Sequence, residues 1–205
     1  MLSVSMPTRS VDPIVRRFLG AAMACLTIWL AAVALMPRGA SANDDLWAAI
    51  GDGAAVVVMR HALAPGTGDP ADFDVNDCAT QRNLSEEGRA QARAIGDAFR
   101  ANGITQADIL SSAWCRCLET GELLDLGPVE NLPALDSFFR NRDREPDQTA
   151  ALIEWLAART TEAGPAVLVT HQVNITALTG VFPRSGEMVV VEATPEGDVV
   201  VLGRM

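Results

Sequence analysis

The chain has 205 residues and a mass of 21.7 kDa, enough for one domain with a buried core and little more. Hydrophobic residues make up 49% and charged residues 20%, which excludes a disordered chain. A formal net charge of −10 and a pI near 4.6 leave no basic stripe, so no nucleic-acid partner is expected.

Residues 1–42 read as an address rather than as fold. Arg9, Arg16 and Arg17 precede an apolar run from Phe18 to Met36, and Pro37, Gly39 and the small triplet Ala40-Ser41-Ala42 follow it. Charged start, apolar middle and small-x-small end form the signal-peptide pattern, with cleavage predicted after Ala42. The predicted domain is then residues 43–205, periplasmic or secreted, with no stable membrane span after cleavage. A retained anchor is the alternative, because a run of about nineteen residues just spans a bilayer. Cleavage would remove four Arg and one Asp, leaving twelve positive against twenty-five negative charges.

Asn43-Asp44-Asp45 can cap a short helix running to Ile50. Ala54 to Met59 (AAVVVM) is a continuous apolar run with β-branched residues at its centre, the pattern of a strand buried on both faces. Ala62 to Arg82 is rich in Gly, Pro, Asp and Asn and reads as a long loop, a length more often functional than incidental. Ser85 is a good N-cap, with Glu86 and Glu87 in the first helical turn, and Asn102-Gly103 ends that helix. Asp108 to Ser111 is a short strand, Trp114 to Leu124 a helix, and Val129 to Leu135 ambiguous. Asp147 can start a helix through Ala158. Ala166 to Thr170 (AVLVT) is a second buried strand, followed by a short helix from Asn174 to Thr179. Glu187 to Ala193 and Asp198 to Leu202 form a hairpin around Pro195-Glu196-Gly197. Strands alternating with helices predict an α/β fold, a three-layer sandwich with a mainly parallel sheet.

In such sheets the ligand site lies beyond the carboxyl ends of the strands. The first buried strand delivers Arg60-His61. The strand at Asp108 leads into Ser112-Ala113-Trp114-Cys115-Arg116. The strand at Ala166 leads into His171-Gln172. The chain has two histidines, His61 and His171, and no Lys, and both histidines stand at strand ends. Two Arg, two His and a helix N-terminus make an anion site, above all for phosphate. Three cysteines follow the address segment. Cys78 paired with Cys115 or with Cys117 is the plain reading in an oxidising compartment, and Cys115-x-Cys117 as a redox or metal pair is the weaker one.

Arg60-His61-Ala62 after a strand resembles the Arg-His-Gly signature of the histidine phosphatase superfamily, branch 1, whose fold is phosphoglycerate-mutase-like. Leu84-Ser85-Glu86-Glu87-Gly88-Arg89-Ala90-Gln91-Ala92 resembles that family's Leu-Thr-x-x-Gly-x-x-Gln-Ala helix start. Ser111-Ser112 with Arg116 and Thr120 resembles its second-arginine motif, and Val169-Thr170-His171 its second-histidine strand. The resemblance covers most of the chain from Ala54 to Gly180.

It implies an exported phosphatase acting on a small-molecule or glycan-borne phosphomonoester, of the envelope or lipopolysaccharide type. His61 would form a phosphohistidine, with Arg60, Arg116 and His171 beside it and Gln172 among the phosphate-binding residues. No metal and no cofactor are implied. The sequence departs from the family at three points. Ala62 replaces the Gly, Gln172 stands where one branch has its Asp, and Ser137 stands where another has its Glu. The proton donor is therefore open, with Asp136 the weak candidate and Asp72 and Asp74 in the loop behind it. A phosphate- or phosphoprotein-binding module without catalysis is the alternative on the same fold.

Overall fold

The computed structural model describes residues 42–194 and 196–205. The predicted signal peptide lies outside the described residues, apart from Ala42. Among the described residues no helix is long and apolar enough to cross a membrane.

Helix α1 spans Ala42–Gly51, strand β1 Val56–Arg60, helix α2 Glu86–Ala101, strand β2 Asp108–Ser111, helix α3 Cys115–Leu124 and strand β3 Val129–Asn131. Helix α4 spans Glu145–Ala158, strand β4 Ala166–Thr170, helix α5 Gln172–Thr179, strand β5 Met188–Ala193 and strand β6 Val199–Arg204. The six strands form one sheet in the order β3-β2-β4-β1-β5-β6. The four strands from β3 to β1 are parallel, and β5 and β6 close the other edge antiparallel. The fold is therefore α/β with a mainly parallel sheet, as expected.

Alternation along the buried strands makes the three layers. Val57, Met59, Val167 and Val169 point to one face, where Ile50, Phe99, Cys117 and Leu124 cover them. Val56, Val58, Ala166 and Leu168 point to the other, beneath Leu152, Leu156, Ile175 and Leu178. A strand covered on both faces has no polar side to show, which is why these runs are continuously apolar.

Boundaries move where backbone groups find partners. β1 continues to Arg60 because it still pairs with Thr170 of β4. α4 begins at Glu145 with Pro146 in its first turn, where a missing N–H costs nothing. α5 begins at Gln172, since the Ile175 N–H already donates to His171 O at 3.1 Å. The ambiguous segment divides into β3 and a 3-10 turn at Pro133–Leu135.

Ser85 caps α2 as expected, its Oγ accepting from Gly88 N at 3.1 Å. A Cβ at Gly88 would collide with the Leu63 carbonyl, so this glycine lets α2 lie directly against the segment that follows His61. Here a sequence motif has a steric reason: the helix start and the signature loop touch backbone to backbone.

Candidate active site

Parallel register places the site. Met59 and Ser111 both pair with Val169, so β1, β2 and β4 end level with one another. The next residues continue the ladder, with His61 N donating to Thr170 O at 2.9 Å and Ser112 N to Val169 O at 3.1 Å. His61, Ser112 and His171 thus emerge side by side at the carboxyl edge of the sheet, and the two imidazole centroids are 5.5 Å apart. A cleft opens there, walled by Arg60, His61, Asp69, Arg82, Arg116 and His171. Trp114, Phe139 and Gln172 also border it.

His61 is buried and oriented by its own neighbour. Its Nδ1 lies 2.8 Å from Ala62 O. A carbonyl can only accept, so Nδ1 carries the proton and Nε2 keeps its lone pair. The Ala62 N–H donates to Thr120 Oγ1 at 3.1 Å, and that hydroxyl donates to Arg116 O at 2.6 Å, tying the signature to α3. His171 is buried too. Arg116 Nη2 stands 3.4 Å from its Nδ1, which therefore accepts, and its Nε2 lies 2.8 Å from Ser112 Oγ.

Arg60 Nη1 donates to Pro183 O at 3.1 Å. Arg116 is 3% exposed in its side chain and lines the cleft. The Nε groups of Arg60 and Arg116 are buried with no partner among the described residues. Buried charged donors left unpaired are costly, and at a cleft wall they point to an anion.

Burial, and then the positive charge of Arg116, hold both imidazoles well below the ordinary histidine value. The unfolded chain therefore binds protons near pH 6.5 that the folded chain refuses. Stability is at full value above pH 6.5 and falls as pH drops below it, by up to about 1.4 kcal/mol per pH unit for each histidine. Urea unfolding of the domain between pH 7 and pH 5 should show this decline, and His171→Asn should reduce its slope.

The structure brings Arg60, His61, Arg116, His171 and Gln172 to one cleft. Gln172 turns its amide to Thr176 Oγ1, 2.8 Å away. Asp136 is not among the residues that border the cleft. Its Oδ1 accepts from Ala113 N at 2.8 Å, and burial is the main influence that raises its pKa. Its neighbour Ser137 borders the cleft instead. Asp72 and Asp74 are exposed, and Asp74 Oδ1 accepts from Asn76 N within its own turn.

Two charged residues of the cleft carry no sequence signal, Asp69 and Arg82. Each sits among turn-forming residues, where a charge reads as loop solvation. Asp69 pairs with Arg116 through Oδ1–Nη1 at 2.6 Å and Oδ2–Nη2 at 3.2 Å. Burial and the charge of Arg116 lower the pKa of Arg82 to about 10.

The disulfide joins Cys78 to Cys115 and thereby resolves the open pairing. Cys115 is thus not free to act with Cys117. Cys117 is buried, and that burial pushes its thiol up to about 12, which leaves it protonated.

The sequence model of the histidine phosphatase superfamily (branch 1) matches residues 56–139. No curated protein matches the chain. Among solved structures, the protein histidine phosphatase SixA complexed with tungstate is similar with TM-score 0.53 and 21% identity, over 74% of this chain and 96% of that one. A putative phosphohistidine phosphatase SixA from Agrobacterium tumefaciens gives TM-score 0.51 and 22% identity, over 75% of this chain and 97% of that one. The mycobacterial glucosyl-3-phosphoglycerate phosphatase gives 0.52 and 18%, over 72% and 96%. At such identities the likeness is one of fold. Residues 56–139 are thus similar to the histidine phosphatase superfamily, branch 1, and the solved structures add a likeness of fold.

Proposed function

We propose that this chain is an exported histidine phosphatase that hydrolyses a phosphomonoester through a phosphohistidine on His61. One observation carries the reading: an imidazole with Nδ1 held on Ala62 O presents a free Nε2 in a cleft where Arg60 and Arg116 keep unpaired buried N–H groups. Nε2 attacks phosphorus in line, the P–N bond forms, and the bond to the leaving oxygen breaks. The two guanidinium groups take the non-bridging oxygens, and planar forks that never lose their charge suit this better than Lys. His171 stands against Arg116 and Ser112 and adds a donor once an anion raises its proton affinity. Water then attacks the phosphohistidine and releases phosphate. Every group in this scheme belongs to the chain, so it needs no metal.

Export rests on residues 1–42, read as a signal peptide, and is favoured by the Cys78–Cys115 disulfide, which persists in an oxidising compartment. An exported enzyme meets phosphomonoesters of the cell envelope, a lipopolysaccharide phosphate among them. The test is a rapid quench in alkali during turnover of p-nitrophenyl phosphate with EDTA present. A base-stable, acid-labile phosphoryl group on the fragment containing His61 is the expected result. Bound inorganic phosphate without turnover of any ester would instead identify a binding module.

A further inference from the structure

We propose that Asp69 is the proton donor to the leaving group, set free when the incoming phosphoryl group takes Arg116 from it. The inference rests on the phosphatase reading and fills the role that reading leaves without a residue.

Asp69 is the carboxylate in the wall of the cleft. Asp136 is committed to Ala113 N, and Ser137, which borders the cleft beside it, is no acid at neutral pH. The Asp69 carboxylate shares one guanidinium with His171, since Arg116 Nη2 is 3.2 Å from Asp69 Oδ2 and 3.4 Å from His171 Nδ1. It therefore lies at the anion site itself and not at its rim.

Its place is built with some care. Arg82 N donates to Asp69 Oδ1 at 3.2 Å, and Trp114 Nε1 to Oδ2 at 3.1 Å. The loop that carries it is pinned from two sides. Arg82 Nε donates to Gly68 O at 2.8 Å and Arg82 Nη1 to Ala64 O. Arg140 Nη2 donates to Asp69 O and to Pro70 O. The Arg116 guanidinium thus holds the carboxylate itself, while the side chains of Arg82 and Arg140 hold the backbone around it, which is more than a surface turn needs.

The charged groups around Asp69 explain how it gains a proton. Burial alone would raise its pKa, but the hydrogen bonds and charge of Arg116, with Arg82 N and Trp114, outweigh that and keep it ionised in the free protein. A phosphoryl dianion needs the same Arg116 N–H groups. Once it takes them, Asp69 loses its counter-charge and faces an anion while staying buried, and all of this favours the protonated form. The proton arrives from solvent or with a monoanionic ester. As the bond from phosphorus to the leaving oxygen breaks, its electron pair stays on that oxygen and the Asp69 proton joins it, releasing an alcohol. The Asp69 carboxylate then takes a proton from the water that attacks the phosphohistidine.

A donor matters in proportion to how poor the leaving group is, and this separates it from a structural role. The experiment compares kcat/KM for phenyl phosphate and p-nitrophenyl phosphate in wild type and Asp69→Asn. The expected result is a loss of roughly 10²–10⁴-fold on phenyl phosphate, with a much smaller loss on the nitrophenyl ester. Calorimetry with inorganic phosphate should show the variant binding at least as tightly as wild type, because a competitor for Arg116 has gone. Equal losses on the two esters, or lost phosphate binding, overturn the proposal. Wild type alone gives an independent check: if it already prefers the nitrophenyl ester by that margin, no donor is at work and the proposal fails. If wild type turns over neither ester, the phosphatase reading itself fails.

Discussion

Replacing His61 by alanine is expected to abolish hydrolysis of p-nitrophenyl phosphate, a loss on the order of 10⁴-fold or more, the scale on which removal of a nucleophile acts. The expectation follows from position and tautomer together. His61 is fixed by its backbone bond to Thr170 O and by Nδ1 against Ala62 O, so no other imidazole takes over its lone pair. His171 cannot substitute, because its Nδ1 accepts from Arg116 and its Nε2 lies against Ser112. Phosphate binding should survive the change, since Arg60 and Arg116 remain in place. Steady-state kinetics with EDTA present, together with calorimetry of inorganic phosphate, separate the two effects. A variant that keeps more than about one part in a hundred of wild-type activity would mean that His61 is not the nucleophile.

Reduction of the Cys78–Cys115 disulfide is expected to have the largest effect on stability. The cross-link closes a loop with a sequence separation of 37 residues, for which loop-closure entropy gives about 4 kcal/mol, with 2–4 kcal/mol typical of measured cases. For a domain of this size that corresponds to a fall in Tm of about 10 °C. Activity should decline below the transition as well. Cys115 immediately precedes Arg116, and Cys78 opens the 3-10 turn that leads to Gln81 and Arg82. Without the bond, that turn is held to α3 by Gln81 Oε1 accepting from Cys115 N at 3.0 Å. The loop bearing Asp69 and Arg82 then gains freedom, and the cleft loses order on that side. Differential scanning calorimetry with and without dithiothreitol, and the same comparison for Cys78→Ser, measure both effects. An unchanged Tm would show that the loop is held by its hydrogen bonds alone.

Much of the fold was readable because its signals are local. The apolar runs of β1 and β4 state that both faces are covered, and the layers of Val57 and Met59 on one side and Val56 and Val58 on the other follow from period two. Ser85 states where α2 starts, through a hydrogen bond only three residues long. The helices α3, α4 and α5, whose starts have no side-chain cap, begin one or two residues away from where the local pattern puts them. There the boundary depends on backbone partners and on Pro146, which propensity weighs only weakly.

The site divides in the same way. Arg60, His61, Arg116 and His171 share one cleft because each stands at the carboxyl end of a strand or in the segment just beyond it, and parallel strands end at one edge. Their arrival there is a consequence of chain direction and strand length, both written in the sequence. The cysteine pairing, the imidazole tautomers and the identity of the carboxylate in the cleft were decided only by tertiary structure. Asp69 and Arg116 are 47 residues apart, in a loop and a helix that no periodicity links. Asp136 and Ser137 are neighbours in sequence, yet Ser137 borders the cleft and Asp136 is held on Ala113 N. Which of two adjacent side chains meets a ligand depends on a backbone turn and on what packs behind it. Those are properties of distant segments brought together, and a linear pattern does not contain them.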